Sequence, residues 1–229
     1  MNDKERVAIR AVERVQGGML VGLGTGSTAN YFIEALAERN RREKLGVMAV
    51  SSSVVSAIKA QHTGLPLVAV EHVSKVDLYV DGADEVAPDM TLLKGRGYDL
   101  VREKLLAKAA DAFWVLVDDS KLVDRIGARF PVPVEVMPFA WQLVKQSLEG
   151  LGGKAELRQN AGKDGLAITS YGSLVFDVVF DPGQDIDTLD RALSAIPGVI
   201  EHGIFHGLAH AVFIGAGGQV EERWKTGKT

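Results

Sequence analysis

Two charged side chains close together in the sequence could carry proton-transfer chemistry. Lys94 lies in the glycine-punctuated stretch "LLKGRGYDL", and Glu103 follows in "VREKL", on the first turns of a predicted helix. A carboxylate near a helix N-terminus and close to a lysine should stay ionised at neutral pH, so Glu103 could act as a general base. Lys94 could then neutralise an oxygen that becomes negative when a neighbouring C–H bond breaks. The alternative is an ordinary surface glutamate, with Arg102 and Lys104 in solvent.

The stretch "VGLGTGSTAN" could bind a phosphate group. Its three glycines let the backbone turn tightly and approach a ligand, and the hydroxyls of Thr25, Ser27 and Thr28 stand beside them. A helix that starts directly afterwards would add free N–H groups and the positive end of its dipole, which favour an anion. The glycine spacing differs from a dinucleotide fingerprint, and Ser27 replaces the lysine of a Walker loop. The alternative is a glycine turn with only a structural use.

Two aspartates at the end of another predicted strand form the third candidate group. Asp81 follows the apolar run directly in "YVDGADEV", and Asp84 comes three residues later. Two carboxylates at one strand end could hold a metal ion, polarise hydroxyl groups or transfer protons. The alternative is an Asx-type turn that caps the next segment. A turn needs only one acidic side chain, whereas Glu85 adds a third, so we favour a functional role.

Apolar runs and helical repeats alternate through the first half of the chain, and this order predicts how the three groups are positioned. Strands are predicted at "MLVGLG", "LGVMAVSSS", "LPLVAV", "VDLYVDGADEV" and "FWVLVDD", separated by helical segments or turns. Because these strands are apolar on both faces, they predict a mostly parallel, Rossmann-like sheet with helices on both sides. Ligands bind beyond the carboxyl ends of such strands, where all three candidate groups lie.

The pattern changes after about residue 130, where a smaller α+β segment begins. "RFPVPVEV", followed by Pro138, suggests an edge strand or a crossover, and "KAELRQN", "LAITSY" and "SLVFDVVF" are typical of antiparallel strands. "HAVFIGAGG" is one more buried strand, which could return to the first sheet. We therefore predict an α/β fold with a Rossmann-like catalytic domain at residues 1–130 and 206–229. A small α+β domain at 131–205 could form an oligomer contact.

The bulk composition limits the possible partners. The chain has 26 Lys and Arg against 30 Asp and Glu, which gives a net charge of −4 and no basic stripe for nucleic acid. It contains no cysteine, which excludes disulfides, thiolate catalysis and cysteine-ligated metal and fits a reducing compartment. The charged N-terminal helix is unlike a signal peptide, and no apolar run approaches the ~20 residues that span a bilayer. We expect a soluble, cytoplasmic protein that binds neither nucleic acid nor membrane.

In combination, these motifs resemble the type A ribose-5-phosphate isomerase family. The stretches that carry the resemblance are "GLGTGSTA", "YVDGADEV", "LLKGRG", "REK", "DDSK", "FPVPVEV" and "AIPGVIEHGIF", in the family's order and near its spacings. They cover almost the whole chain, and their combination is far more specific than a lone glycine motif. The resemblance implies an aldose–ketose isomerase that interconverts D-ribose 5-phosphate and D-ribulose 5-phosphate in the non-oxidative pentose phosphate pathway. It implies no cofactor and no metal.

The family's residue roles carry over onto the matching positions. Substrate binding is implied for three loops and one further lysine: Thr25, Gly26, Ser27 and Thr28; Asp81, Gly82, Ala83 and Asp84; Lys94, Gly95, Arg96 and Gly97; and Lys121 in "DDSK". The implied catalytic residues are Asp81, Lys94 and Glu103. Asp81 would open the sugar ring by taking the anomeric hydroxyl proton, Glu103 would move a proton from C2 to C1, and Lys94 would stabilise the enediolate between them. Lys4 is a weaker match to an N-terminal lysine of the family.

Several positions depart from the family's usual pattern. The family usually has glycine where Arg96 stands and small residues in place of Tyr98 and Asp99, and "SSSVVSA" and "ITSYGSLVFDV" also differ. Arg96 could contact the substrate or point to solvent. We favour solvent, because the turn at Gly95 and Gly97 mainly presents backbone N–H groups. These departures bear on substrate range and affinity more than on reaction class.

Other functions fit the sequence less well. A sugar-phosphate-binding protein, or an isomerase of a related sugar phosphate with altered specificity, is the main alternative. A binding protein that regulates transcription would carry a DNA-binding helix pair, for which the chain has no spare segment. A coenzyme A transferase-like enzyme would normally be larger, and an NAD enzyme is disfavoured by the glycine spacing. We expect a homo-oligomer, either a dimer or a tetramer, as in the family.

Two further motifs are expected to bind no ligand. His202, His206 and His210 are spaced for one face of a helix, which could bind a metal ion. Gly203 and Gly207 interrupt the segment, which is therefore predicted as strand and turn without metal. The terminal "TGKT" imitates a phosphate loop but lacks that loop's first glycine.

Overall fold

Strands and helices alternate in the computed structural model, which describes residues 1–97 and 99–225. The helices are α1 (Asp3–Val12), α2 (Ser27–Glu43), α3 (Val54–Thr63), α4 (Leu100–Ala109), α5 (Trp141–Gly150) and α6 (Ile186–Ser194). The strands are β1 (Leu20–Leu23), β2 (Met48–Ser51), β3 (Val76–Asp81), β4 (Glu85–Val86), β5 (Leu92–Leu93), β6 (Ala110–Asp118), β7 (Val132–Val136), β8 (Lys154–Leu157), β9 (Leu174–Val179), β10 (Val199–His202), β11 (Ile204–Phe205), β12 (Ala211–Ala216) and β13 (Gln219–Trp224). Within the described ranges, no helix is both long and apolar enough to cross a membrane.

The chain divides into two compact units. The first contains Met1–Ala83, Arg102–Leu122 and the chain from Leu208 onward, and the second contains Asp84–Val101 and Val123–Gly207. Residues 84–101 and 123–130 are part of the predicted Rossmann-like domain. In the structure they group with the second unit, where β4 and β5 pair with β11 in a separate small sheet. A compact unit need not be an independently folding domain, so the domain boundaries stay a prediction.

A six-stranded sheet forms the centre of the first unit, in the order β13-β12-β6-β3-β1-β2. Every pairing in it is parallel except that of β12 with β13. Both faces of the sheet are buried: Leu78 and Val80 pack with α1 and α2, while Tyr79 lies buried on the opposite face of β3. The predicted α/β fold with a mostly parallel sheet is therefore confirmed, as is the return of "HAVFIGAGG" to this sheet as β12.

Side chains cap the starts of α1 and α3, but α2 begins differently. Asn2 Oδ1 accepts the N–H of Glu5 at 2.9 Å, and Ser53 Oγ accepts the N–H of Ser56 at 3.1 Å. Such caps satisfy backbone donors that have no partner within the helix. The cap residue of α2 is Gly26, which has a φ of 119° and no side chain to accept a hydrogen bond. The start of α2 is therefore suited to an external anion.

Antiparallel strands dominate the second unit, as predicted. A four-stranded sheet has the order β10-β7-β9-β8, and a three-stranded sheet has the order β11-β5-β4. Val144 of α5, Leu193 of α6 and Phe176 of β9 share one apolar core. This core holds the two helices against the larger of the two sheets.

The edge position predicted for "RFPVPVEV" is wrong, because β7 lies between β10 and β9. A proline in an inner strand lacks the N–H of the ladder, and its ring needs space. Pro133 O accepts the N–H of Gly203 at 2.8 Å, and a Cβ at position 203 would lie 2.6 Å from Pro133 Cδ. Gly203, directly after the neighbouring strand β10, has no side chain, and this leaves room for the ring of Pro133 inside the sheet.

Two other predicted strands are also wrong. "LPLVAV" contacts β2 through one isolated bridge, between Ala49 and Leu67, before a short 3₁₀ segment at Val70–His72. "LAITSY" forms isolated bridges rather than a strand within the described chain. A residue that interrupts a ladder stands in or beside each stretch: Pro66, within the first, has no N–H to donate, and Gly172, directly after the second, has a φ of 81°.

We expect Gly203→Ala to destabilise the protein. The added Cβ would overlap the backbone oxygen of Lys94 and lie 2.6 Å from Pro133 Cδ, so the backbone would have to move. Forcing an extra carbon into a packed site typically costs about 1–3 kcal/mol. The free energy of unfolding, measured by urea denaturation, should fall by about that amount.

Gly150→Ala is the matched control, because no atom outside its own helical turn lies within 4 Å of the added Cβ. Gly150 ends α5, where alanine is the better helix former, so this variant should be neutral or slightly more stable. Equal stability of Gly203→Ala and the wild type would contradict the close packing of Gly203 against Pro133.

Candidate active site

The carboxyl ends of neighbouring strands in the first unit carry the candidate residues. β1 leads into the first loop, β3 ends at Asp81, and β6 leads into a 3₁₀ segment that ends at Lys121. These strands are adjacent and parallel, so their carboxyl ends lie at the same edge of the sheet. The structure places the following predicted residues at this edge: Thr25, Gly26, Ser27, Thr28, Asp81, Gly82, Ala83 and Lys121.

Asp81 is fully buried and accepts hydrogen bonds at both carboxylate oxygens. Oδ1 accepts the N–H of Gly82 at 2.7 Å and the N–H of Thr25 at 3.0 Å. Oδ2 accepts the hydroxyl of Tyr79 at 2.6 Å. These donors fix the orientation of the carboxylate, and they tie the loop after β1 to the end of β3.

Glycine is required on both sides of Thr25. A Cβ at Gly24 would overlap the Asp81 carboxylate, so only glycine permits this approach of the backbone. Gly26 has a φ of 119°, a conformation that other residues rarely adopt, directly before α2 begins. The first loop therefore owes its shape to these two positions.

The segment "SSSVVSA" contributes a cluster of hydroxyl groups that the sequence analysis missed. Thr25 Oγ1 lies 2.6 Å from Ser53 Oγ and 3.1 Å from both Ser52 Oγ and Ser56 Oγ. Ser56 Oγ also donates to Gly24 O at 2.6 Å. These contacts hold the first loop against the start of α3. A signal was available, because β2 lies beside β1 and the residues that follow two adjacent parallel strands meet.

Lys4 also reaches the first loop. Its Nζ donates to Ser27 Oγ at 3.1 Å and lies 3.9 Å from Asp118 Oδ2. Asp118 Oδ1 in turn accepts the N–H of Ser120 at 3.1 Å, next to Lys121. The weak sequence match of Lys4 thus corresponds to a positive charge beside the start of α2.

Glu103 is buried on the first turn of α4, with 7% of its surface exposed. Lys104 is only 3% exposed, so the alternative of a surface glutamate beside a solvated Lys104 is wrong. Burial raises the pKa of the Tyr79 phenol well above its usual range, and the charges of Asp81 and Glu103 raise it further. Asp81 and Glu103 therefore both act on the same buried tyrosine.

Lys94 and its loop belong to the second unit. Lys94 is buried after β5, where its N–H donates to Gly203 O at 2.9 Å and its Nζ lies 5.7 Å from the centre of the Phe205 ring. Gly95 has a φ of 99°, and its carbonyl oxygen accepts a hydrogen bond from Arg158 at 3.0 Å. The backbone on both sides of this turn is therefore anchored within its own unit.

Arg96 is exposed, and its side chain packs against its own unit. The guanidinium lies over the Phe130 ring, 4.1 Å from its centre, and Asp84 Oδ2 accepts the Arg96 N–H at 3.3 Å. A cavity of about 310 Å³ is lined by Arg96, Phe130, Pro131, Arg158 and Asp177. Asp84 thus orders the loop from Lys94 to Gly97, while Phe130 holds the arginine side chain.

Two other departures from the family's pattern contact each other. Ser170, in the segment "ITSYGSLVFDV", donates a hydrogen bond to Asp99 Oδ1 at 2.9 Å. This bond ties the residue before α4 to a turn of the second unit. Tyr98 lies outside the described residues.

Glu85, the third acid of "DGADE", has a structural role. It is fully buried, and it accepts backbone N–H groups of Gly127 at 2.6 Å, Arg129 at 2.7 Å and Phe130 at 2.9 Å. These bonds fold the segment that leads into β7. The functional hypothesis for this stretch is therefore limited to Asp81 and Asp84.

The three histidines bind different groups. His202 Nε2 lies 3.0 Å from Ser194 Oγ, His206 Nδ1 lies 2.9 Å from Thr91 Oγ1, and His210 Nδ1 accepts the N–H of Phe113 at 3.1 Å. Across the described part of the chain, no group of three His, Asp or Glu side chains is arranged to hold a metal ion. Their segment forms the end of β10, then β11 and the turn that leads into β12, which agrees with the predicted strand and turn. The "TGKT" motif lies outside the described residues.

Comparisons of the sequence identify related proteins. The family model for ribose 5-phosphate isomerase A (phosphoriboisomerase A) matches residues 48–219. A ribose-5-phosphate isomerase A of Thermosynechococcus vestitus is 45% identical over 93% of this chain and 90% of the relative. Another, from Methanothermobacter thermautotrophicus, is 46% identical over 94% of each chain.

Solved structures give the same result. Ribose 5-phosphate isomerase A from Methanocaldococcus jannaschii has a TM-score of 0.91 at 39% identity, covering 97% of this chain and 98% of that one. A D-ribose-5-phosphate isomerase in complex with phospho-erythronic acid has a TM-score of 0.93 at 38% identity, covering 98% and 100%. The chain belongs to the ribose 5-phosphate isomerase A (phosphoriboisomerase A) family.

Proposed function

We propose that the protein interconverts D-ribose 5-phosphate and D-ribulose 5-phosphate. The observation that carries the proposal is a single sheet edge with a loop suited to phosphate, beside the buried carboxylates Asp81 and Glu103. Membership of the family supports it. So does the solved neighbour that holds phospho-erythronic acid, since this ligand combines a phosphate with a carboxylate whose two oxygens resemble those of an enediolate.

The first step of the proposed reaction opens the sugar ring. Asp81 takes the proton from O1, the C1–O4 bond breaks, and O4 receives a proton. The step therefore moves one hydrogen from O1 to O4 and leaves an aldehyde at C1. Asp81 suits this task because donors at both of its oxygens hold it in one orientation before substrate arrives.

The second step moves hydrogen between carbons. Glu103 takes the proton from C2, the electron pair forms a C1–C2 double bond, and negative charge collects on O1, where Lys94 stabilises it. Glu103 then returns the proton to C1, and the hydroxyl hydrogen of O2 passes to O1, which leaves a ketone at C2. The proposed reaction uses neither a metal nor a cofactor.

Substrate binding is proposed for the loops that the resemblance implied. The start of α2, with Gly26, Ser27 and Thr28, would bind the phosphate, and Lys4 and Lys121 would add positive charge. The sugar hydroxyls would contact Gly82, Ala83, Asp84 and the loop Lys94–Gly97. The contacts of Thr25 favour a supporting role, because its N–H binds Asp81 and its hydroxyl binds the serine cluster of Ser52, Ser53 and Ser56.

An isomerase acting on a related sugar phosphate is the second candidate. It is favoured by the third loop, in which Arg96 and Asp99 replace the family's small residues and contact Phe130 and Ser170. A change in this loop would alter which sugar is bound while leaving Glu103 in place. A cytoplasmic location stays a prediction.

Conversion of ribose 5-phosphate to ribulose 5-phosphate, in buffer with EDTA, is the test of the proposed function. We expect it to be the fastest reaction in a panel of aldose phosphates. Glu103→Gln keeps the shape of the side chain but removes its basic charge, so kcat should fall by about 10² to 10⁴ with little change in KM.

Glu149→Gln, on the exposed side of α5, is the matched control and should keep wild-type kinetics. Near-wild-type turnover by Glu103→Gln would remove Glu103 from the mechanism. A faster reaction with another aldose phosphate would favour the second candidate. Activity that EDTA abolishes and one divalent ion restores would contradict the metal-free reaction.

Arg96→Gly should change the kinetics little. The exposed guanidinium packs on Phe130, a contact worth about 0.5–1 kcal/mol, so even if its whole loss weakened binding, KM for ribose 5-phosphate should rise no more than about fivefold. A charge-assisted contact with substrate would be worth about 1.5–3 kcal/mol. Steady-state kinetics distinguish an arginine that only packs on Phe130 from one that binds substrate, because loss of a substrate contact would raise KM tenfold or more at unchanged kcat.

Phe130→Leu is the companion variant, since it releases the guanidinium without removing its charge. A similar KM for both variants supports an arginine held by the phenylalanine ring. A large rise in KM for Arg96→Gly alone would make Arg96 a substrate ligand.

We also propose a homo-oligomer that uses the second unit. Phe139, in the 3₁₀ segment just before α5, is 84% exposed, and Leu143, on the first turn of α5, is 71% exposed. Trp141, the first residue of α5, lies between them in sequence. An exposed apolar patch of this kind typically marks an interaction site.

Sedimentation velocity should find a dimer or tetramer of the wild type, and Phe139→Ser combined with Leu143→Ser should shift it towards the monomer. Leu105→Ser, which changes an exposed leucine on α4 of the first unit, should not. A monomeric wild type at micromolar concentration would refute the oligomer.

A further inference from the structure

Tyr79 is a buried side chain that the proposed mechanism does not use. It lies in β3 two residues before Asp81, so the two side chains point to the same face of the sheet. The tyrosine ring is fully buried and stacks on Phe113, with 5.0 Å between the ring centres. Its hydroxyl donates to Asp81 Oδ2 at 2.6 Å. The centre of the sheet is thus directly linked to the carboxylate at its edge.

The two oxygens of Asp81 have different surroundings. Oδ1 accepts two backbone N–H groups, from Thr25 and Gly82, at 3.0 and 2.7 Å. A carboxylate oxygen has two lone pairs, so these two donors occupy Oδ1. Gly24 also approaches this oxygen so closely that a Cβ would overlap it. Backbone donors thus position Oδ1, whereas a side-chain hydroxyl, that of Tyr79, positions Oδ2.

The Tyr79 hydroxyl remains a neutral donor. Burial raises the pKa of the phenol well above its usual range, and the charges of Asp81 and Glu103 act in the same direction. The phenol therefore keeps its proton in the pH range where sugar phosphate isomerisation is assayed. It can orient Asp81 Oδ2 without competing with it for the substrate's proton.

We propose that Tyr79 is a positioning residue for ring opening, because its hydroxyl holds Asp81 Oδ2 in the orientation that takes the proton from O1 of the sugar. This inference rests on the proposed function. It concerns only the step that moves a hydrogen from O1 to O4. Transfer of the proton between C2 and C1 is left to Glu103. Loss of the hydroxyl should therefore slow ring opening and leave the carbon proton transfer unchanged.

Tyr79→Phe tests the inference, because it keeps the ring and its stacking on Phe113 but removes the hydroxyl. We expect kcat/KM for ribose 5-phosphate to fall roughly 10- to 100-fold, as is typical when a hydrogen bond to a charged group is lost. The primary isotope effect with ribose 5-phosphate deuterated at C2 should fall below the wild-type value towards 1. The reason is that ring opening precedes C–H cleavage and becomes the slow step.

Tyr31→Phe is the matched control, since it removes a tyrosine hydroxyl that accepts a hydrogen bond from Asn2 in the same unit. It should change neither the rate nor the isotope effect. For Tyr79→Phe, an unchanged rate would overturn the inference. So would a lower rate with the wild-type isotope effect, which is the result expected of a purely structural role.

A double-mutant cycle provides a second measurement. If Tyr79 acts through Asp81, adding Tyr79→Phe to Asp81→Asn should cause no further loss of kcat/KM. An independent further loss would overturn the inference. Turnover by the wild type and its loss in Glu103→Gln test the proposed function separately, so that function would stand even if Tyr79→Phe behaved like the wild type.

Discussion

A buried carboxylate needs hydrogen-bond donors, and Asp81 takes them from both β3 and the loop after β1. The hydroxyl of Tyr79 and the N–H of Gly82 come from its own strand region, and the N–H of Thr25 comes from the first loop. Leaving a buried acceptor without its donor costs about 1–3 kcal/mol, so burial of Asp81 also fixes the loop. The serine cluster holds the other side of that loop. The position of the start of α2 follows from these contacts.

Local sequence patterns were sufficient to predict the large sheet and the loops at its edge, because strand periodicity and glycine spacing are properties of short segments. Contacts between distant segments were not predictable in this way. Pro133 fits an inner strand because Gly203 stands beside it, and Arg96 rests on Phe130. Lys104 has the sequence neighbours of a solvated residue and yet is buried. The contact between Tyr79 and Asp81 was partly predictable, since their spacing of two residues places both side chains on one face of a strand.

The net charge of the chain is a poor guide to the charge that a ligand would meet. Several acids are used inside the fold: Glu85 accepts three backbone N–H groups, and Glu222 contacts Arg10 and Arg14. The first loop, in contrast, has Lys4 and the start of α2 beside it. An acidic protein can therefore present positive charge to a phosphate, because salt screens exposed charges that lie more than about 8–10 Å away.

Synthesis of the chain delivers β12 long after the strand and the helix against which it packs. β12 pairs with β6, and its Phe213 joins the core formed by Val7 and Ala11 of α1. While the ribosome is still producing the second unit, the β6 edge has no partner and this face of α1 remains uncovered. Open strand edges and uncovered apolar faces are the features through which nascent chains aggregate. Completion of the large sheet therefore has to wait for β12 to emerge, and until then this strand edge and this helix face are the parts of the growing chain most open to wrong pairing.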